Sequence, residues 1–204
     1  MNINNKKYVL QDSNYYPEIS EKKQIVIGNT FSSDMKHFIG WSNRLCGRHK
    51  RGSHFTVDKS GKIYQHFDTN YHSDFLPNNV YSKSIISISL VNEGWLELDI
   101  KDKSYFNVNG ITYNQVDGIS EKRWRSFNVW TKYTKEQLDS TIFLVDHICN
   151  KENISKNVIS HNTQIKEIDL HNFSGVLYRS NWIKNATDLN PTWNFTDFKQ
   201  LIEG

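Results

Sequence analysis

A single α/β domain, with a mixed central β-sheet flanked by helices, is the fold class that the sequence predicts, and three observations predict it. Strand-like and helix-like patterns follow one another as strand, helix, hairpin, strand, helix, the ordering that lays helices against a sheet. The 204 residues contain neither an internal repeat nor a Pro/Gly/Ser-rich linker, so nothing divides the chain. With 37% hydrophobic residues and a formal net charge of +3, there is apolar material for a core and too little charge for disorder.

Each element has its own signature. Ile25-Val26-Ile27 is a β-branched run ended by Gly28-Asn29, as in a buried strand that stops at a loop. Met35, Phe38, Ile39 and Leu45 give Asp34 to Leu45 the spacing of a short amphipathic helix beginning after Ser32-Ser33. His54 to Asp58 and Lys62 to Phe67 flank the turn Lys59-Ser60-Gly61 and form a hairpin. Ser84 to Val91 is rich in β-formers and predicts a central strand ending at Asn92-Glu93-Gly94. The polar and aromatic stretch from there to about Thr131 lacks strong periodicity and is expected to be an elaborated loop. Thr134-x-x-Gln137 is a capping box, followed at helical spacing by Leu138, Ile142, Val145 and Cys149. Asn157 to Ser160 leads into His161, after which the chain is irregular to Gly175. The expected organisation is an N-terminal extension at 1–24, a body at 25–183 with an insertion at about 95–131, and a tail at 184–204 packing on the body.

Charge excludes several function classes. The 25 Lys and Arg are interleaved with 22 Asp and Glu, so no nucleic-acid partner is expected. The densest basic cluster, Arg44, Arg48, His49, Lys50 and Arg51, is read as a solvated loop in preference to an anion site. No apolar run approaches the ~20 residues of a membrane span. Cys46 and Cys149 make no CxxC and are read as ordinary thiols. The opening Met-Asn-Ile-Asn-Asn-Lys-Lys lacks the apolar segment of a secretory signal, which makes the cytoplasm the default compartment; a leaderless route or lysis needs no such segment.

Among the eight histidines, His147 inside a helix and His49 in the basic loop are set aside. His161 and His171 bracket an irregular polar segment, and such a loop can fold two imidazoles onto one metal. His54 and His72 stand at the edges of β elements, as polar residues lining a groove would.

Several segments taken together resemble the zinc-dependent N-acetylmuramoyl-L-alanine amidases of the type-2 amidase and peptidoglycan-recognition superfamily. The hairpin Ser53-His54-Phe55-Thr56-Val57-Asp58-Lys59-Ser60-Gly61-Lys62-Ile63-Tyr64-Gln65 is similar to the family's hairpin, and Tyr71-His72-Ser73-Asp74 to its Trp-His-Ala-Gly. Ser84 to Asn92 looks like the central Ser-Ile-Gly-Ile-Glu-Leu-Val-Asn strand with one extra residue. Tyr133-Thr134-Lys135-Glu136-Gln137 matches the helix start, and Val158-Ile159-Ser160-His161 the Val-x-Gly-His segment. Together these span about Ile25 to Trp182.

The resemblance implies a zinc ion held by a His after the first strand, by the His of the Gly-His segment, and by an Asp or Cys about ten residues further on, with an open fourth position for water. It further implies a carboxylate on the central strand and a Lys near the last ligand. This chain departs from that set: Gly28 stands at the first His, Ser89 at the carboxylate, Asp169 at the Lys, and His171 at the Asp or Cys. His161 persists. Three expectations follow. The first is an amidase-fold protein that binds peptidoglycan or a muropeptide through Asn29, His54, Tyr71, His72 and Trp95, with hydrolysis lost or impaired. The second is a zinc amidase rebuilt on His161 and His171 plus a donated His37, His54 or His72, with Asp169 acting as base or orienting one of the two ligand histidines. The third is an inhibitor or interaction protein that uses the Glu93–Thr131 insertion as its surface.

Overall fold

The computed structural model describes residues 2–43, 50–113, 119–161, 163 and 167–204. Its strands are β1 (Ile3–Asn4), β2 (Gln24–Asn29), β3 (Phe55–Val57), β4 (Ile63–Gln65), β5 (Ile85–Leu90), β6 (Trp95–Asp99), β7 (Ser104–Asn107), β8 (Thr112–Tyr113), β9 (Ile119–Trp124), β10 (Phe127–Thr131) and β11 (Gly175–Tyr178). The helices are α1 (His37–Ser42), α2 (Asn79–Lys83), α3 (Lys135–Glu152), α4 (Glu167–Asn172), α5 (Arg179–Trp182) and α6 (Phe195–Glu203).

The central sheet runs β1-β4-β3-β5-β2-β11, with β3, β5, β2 and β11 parallel and the β3–β4 hairpin antiparallel. The predicted α/β class, hairpin and central strand are all present. Every residue of β2 and β5 is buried, as expected where a parallel sheet is covered on both faces. Alternation along the strands sorts the side chains. Ile25, Ile27, Ile86, Ile88 and Leu90 join Leu144, Val145 and Ile148 of α3 and Phe198 and Ile202 of α6 in the main core. Val26, Ile85 and Leu177 face the other way and meet Leu76 and Leu170.

Helix α3 opens with the predicted reciprocal cap: Thr134 Oγ1 accepts from Gln137 N at 3.0 Å, and Gln137 Oε1 accepts from Thr134 N at 3.2 Å. It closes at Asn153 in the left-handed region, with φ of 55°. Cys149 is buried on its inner face, where burial pushes the thiol up to about 11, away from reactivity. Cys46 lies outside the described residues.

Three expectations need correction. The stretch after Gly94 is a five-stranded antiparallel sheet, β8-β7-β6-β10-β9, not a loop. Many of its residues are exposed or half-buried, and the buried ones, Leu96, Ser104, Asn107, Trp130 and Thr131, do not alternate regularly along their strands, so the inside–outside pattern that reveals a strand is weak. Helix α1 begins at His37, because the Asp34 side chain accepts from Lys36 N at 2.8 Å and holds a turn where the helix was expected to start. The end of that expected helix, with Arg44, Leu45, Arg48 and His49, lies outside the described residues. Finally, 184–204 does more than pack on a finished body: Leu189, Trp193, Phe198 and Ile202 belong to the main core itself. The N-terminal 1–24 likewise supplies edge strand β1, and Leu10 and Tyr15 cluster with Phe67.

Candidate functional site at the end of the central strands

The register of β2 and β5 sets Gly28 beside Ser89 and Asn29 beside Leu90, at the carboxyl end of the parallel strands where open α/β sheets bind ligands. Strand β11 lies on the other side of β2, its Tyr178 paired with Ile27. The next residue, Arg179, therefore falls beside Gly28. A Cβ on Gly28 would lie 3.3 Å from Phe75 Cζ and 3.5 Å from Arg179 Nε. Any imidazole beyond that Cβ would have to displace both side chains.

The arginine is fixed. Its Nε donates to Asp188 Oδ2 at 2.8 Å and its Nη2 to Oδ1 at 3.1 Å, a two-pronged pair in the geometry that guanidinium and carboxylate share. Asp188 is fully buried, and its Oδ1 also accepts from the backbone N–H of Asn29 at 2.6 Å. A buried carboxylate demands such pairing, because solvation lost on burial must be replaced. The rings of Phe31 and Phe75 lie 5.6 and 5.7 Å from the guanidinium carbon and flank it as cation–π partners. Gly94 makes this possible: with φ of +80°, a Cβ there would meet the Phe31 ring at 2.7 Å.

Around Arg179 opens a cleft of two adjoining cavities, about 290 and 450 Å³, sharing Arg51, Asp74, Phe75 and Arg179 in their walls. Ser89, Asn29 and Asn109 line the smaller one. Asn109 comes from the inserted sheet; its Nδ2, like that of Asn107, donates to Phe31 O at 3.1 Å, so the β7–β8 turn forms part of the cleft wall. Asp74 is held by Tyr16 Oη at 3.0 Å and Lys50 N at 2.8 Å. Behind the cleft, Tyr133 Oη donates to Asn29 Oδ1 at 2.6 Å and accepts from Asn190 N at 3.3 Å; burial holds this phenol neutral, well above its ordinary value.

The sequence-derived candidates scatter. Asn29 and Ser89 are in the cleft. His54 is fully buried with both nitrogens engaged: Nδ1 accepts from Ser87 N at 3.0 Å, and Nε2 sits 2.9 Å from Tyr71 O, which makes it the protonated nitrogen. No nitrogen of that ring is left for a ligand. His72 is buried and stacked on Tyr16 at 4.9 Å. Tyr71 stacks on Tyr15 at 5.5 Å. Trp95 stacks on Phe127 at 4.2 Å within the inserted sheet.

His161 and His171 are not brought together. The His161 ring lies among Trp124, Tyr178 and Phe195, with Nδ1 buried and unpartnered among the described residues. Burial, then the charge of Arg125, lowers its value to about 4. His171 is exposed on α4, near the Tyr81 ring, and Asp169 is exposed on the same helix. Tyr178 and Phe195, against His161, pack in the main core, whereas Tyr81, against His171, packs with the cluster on the other face of the central sheet. Among the described residues, no group of three His, Cys, Asp or Glu side chains is arranged to hold a metal ion. The residues at the strand end do not fit zinc either: where the resemblance puts the first ligand, a guanidinium stands.

Sequence reasoning missed Arg179 and Asp188. A signal for the first existed, since Val176-Leu177-Tyr178 is an apolar run and a charge placed directly after a strand falls at the ligand-binding end of the sheet. Asp188 sits in a segment without periodicity, and nothing local announces where it folds back.

Comparison with known proteins bears on this geometry. A family model of N-acetylmuramoyl-L-alanine amidase (Amidase_2) matches residues 20–172. No curated protein matches the chain in sequence. Among solved structures, a mutant endolysin from Bacillus subtilis is similar, with a TM-score of 0.58 at 16% identity and 99% of each chain covered. N-acetylmuramoyl-L-alanine amidase LysC from Clostridium intestinale gives 0.54 at 15% identity, covering 98% of this chain and 96% of its own. Staphylococcus aureus hydrolase AmiA, solved with its ligand, gives 0.58 at 10% identity, covering 100% and 82%. At these identities the structures speak for the fold, while the family match spans most of the sequence: this chain belongs to the N-acetylmuramoyl-L-alanine amidase family of type-2 amidases.

Proposed function

We propose that this protein is a peptidoglycan-binding member of the amidase family that does not hydrolyse its ligand. The observation that carries the reading is the exchange at the end of β2. Gly28 supplies no donor atom, and the Arg179 guanidinium fills the adjoining space on the Asp188 carboxylate. A guanidinium donates hydrogen bonds, to water among others, but coordinates no water as a Lewis acid, so it does not generate the hydroxide nucleophile that a metal supplies. Ser89, at the position of the family's carboxylate, is no general base at neutral pH. The cleft persists, with Phe31, Phe75 and Asn109 offering stacking surfaces and donors to a muropeptide.

Purified protein is mixed with bacterial cell walls and sedimented, and the supernatant is assayed for newly freed amino groups. Co-sedimentation with no amine release above a buffer control, with or without added zinc, is the expected result. Release that rises with zinc overturns the reading.

A further inference from the structure

Arg179 also bears on what the cleft takes in. Two of its N–H groups are spent on Asp188. Its Nη1 makes no hydrogen bond to any described residue, and the side chain keeps 21% of its surface exposed to the cleft. Arg51, in the walls of both cavities, forms no ion pair among the described residues. Asp74 has a carboxylate oxygen held by Tyr16 and Lys50, so it stays in place as a fixed negative charge in the same wall.

We propose that Arg51 and Arg179 together bind a free carboxylate on the ligand, so that this protein takes peptidoglycan fragments ending in an acid in preference to the intact amide. A guanidinium meets a carboxylate with two parallel charge-assisted hydrogen bonds, whereas an amide carbonyl offers one neutral acceptor. The four local charges, Arg51 and Arg179 against Asp74 and Asp188, cancel. The site therefore presents oriented donors with little net field, which suits a monoanion and gives no advantage to a polyphosphate or nucleic acid. The two flanking rings keep the guanidinium partly dry, where its hydrogen bonds gain strength over those in water.

This inference rests on the binding reading above, and the test separates the two. Four probes are titrated calorimetrically into the full chain: N-acetylmuramic acid, the same sugar with its lactyl acid capped as the uncharged methylamide, a stem tripeptide acid and the tripeptide amide. At least one acid is expected to bind about tenfold or more tighter than its amide partner, in line with one charged hydrogen-bonded pair. Which acid does so identifies the sugar or the peptide as the source of the carboxylate. Arg51→Gln, an exposed position whose loss leaves the fold intact, is expected to remove most of that preference. Equal affinity for acid and amide, or an unchanged preference in Arg51→Gln, overturns the carboxylate site while leaving wall binding in place. Capture of whole walls with no affinity for any probe also overturns it. Failure to bind walls or probes removes both readings.

Discussion

The central and inserted sheets divide the work of this molecule. The central sheet is sealed on both faces, carries the main core and fixes the strand ends at Gly28 and Ser89. The inserted sheet is half-exposed, pairs antiparallel throughout and is anchored where Thr131 N donates to Gly94 O at 3.2 Å. It adds a wall to the cleft without adding to the main core. Stability rests on the central layer, whose strand ends also supply most of the cleft, Asn29, Ser89 and Arg179 among them, while the inserted sheet contributes Asn109.

Removing the ion pair of Arg179 with Asp188 should show the largest effect. Arg179→Ala leaves Asp188 buried and uncompensated, with an expected loss of about 3–5 kcal/mol. Adding Asp188→Asn should recover much of it, and urea unfolding of the single and double variants reads the difference. A single variant as stable as wild type would mean that the pair does not anchor the strand ends.

Acid should separate the sheets next. His66 and His161 are lowered to about 4 by burial, and His54 is lowered well below its ordinary value. The unfolded chain takes up protons at these rings near pH 6.5 while the folded chain does not, so stability falls as pH drops from 6.5 toward 4. By pH 5 the loss is on the order of 2 kcal/mol for each ring lowered to about 4. Residues 95–131 contain no histidine. His161, however, rests on Trp124 and lies near Arg125 of that insert, so replacing 95–130 with a short turn should flatten the slope of stability against pH between 6.5 and 5 by the share of that one ring and leave the shares of His54 and His66. Loss of the whole slope would assign the acid sensitivity to the inserted sheet.

A smaller effect is expected at the cap of α3. Thr134→Ala loses the bond to Gln137 N and should cost about 1 kcal/mol by thermal unfolding. No change there would mean that core packing alone fixes the start of the helix.

How much the sequence revealed follows the same division. Strands β2 and β5, the Gly61 turn and the Thr134–Gln137 box were legible because burial on both faces and cap chemistry leave dense local signals. The inserted sheet was not, because its buried residues, Leu96, Trp130 and Thr131 among them, are few and irregularly spaced along short strands. At the site, Gly28 and Ser89 were found by position, and the loss of a donor at Gly28 was legible. Its replacement was not: Arg179 and Asp188 reach Gly28 through β11 and through a segment that folds back, long-range placements with no local pattern. His54 misled because a histidine engaged on both nitrogens in a core looks, in sequence, the same as one that lines a groove.

On the proposed reading, a protein guanidinium stands where a catalytic metal would. Titrating zinc into the metal-free full chain, and into Arg179→Ala/Gly28→His, tests it most directly. The wild-type chain is expected to take up no stoichiometric zinc, and the variant to bind it more tightly once the arginine is gone and an imidazole is restored beside Asp188. One zinc bound tightly per wild-type chain, with amine release from cell walls, would contradict it.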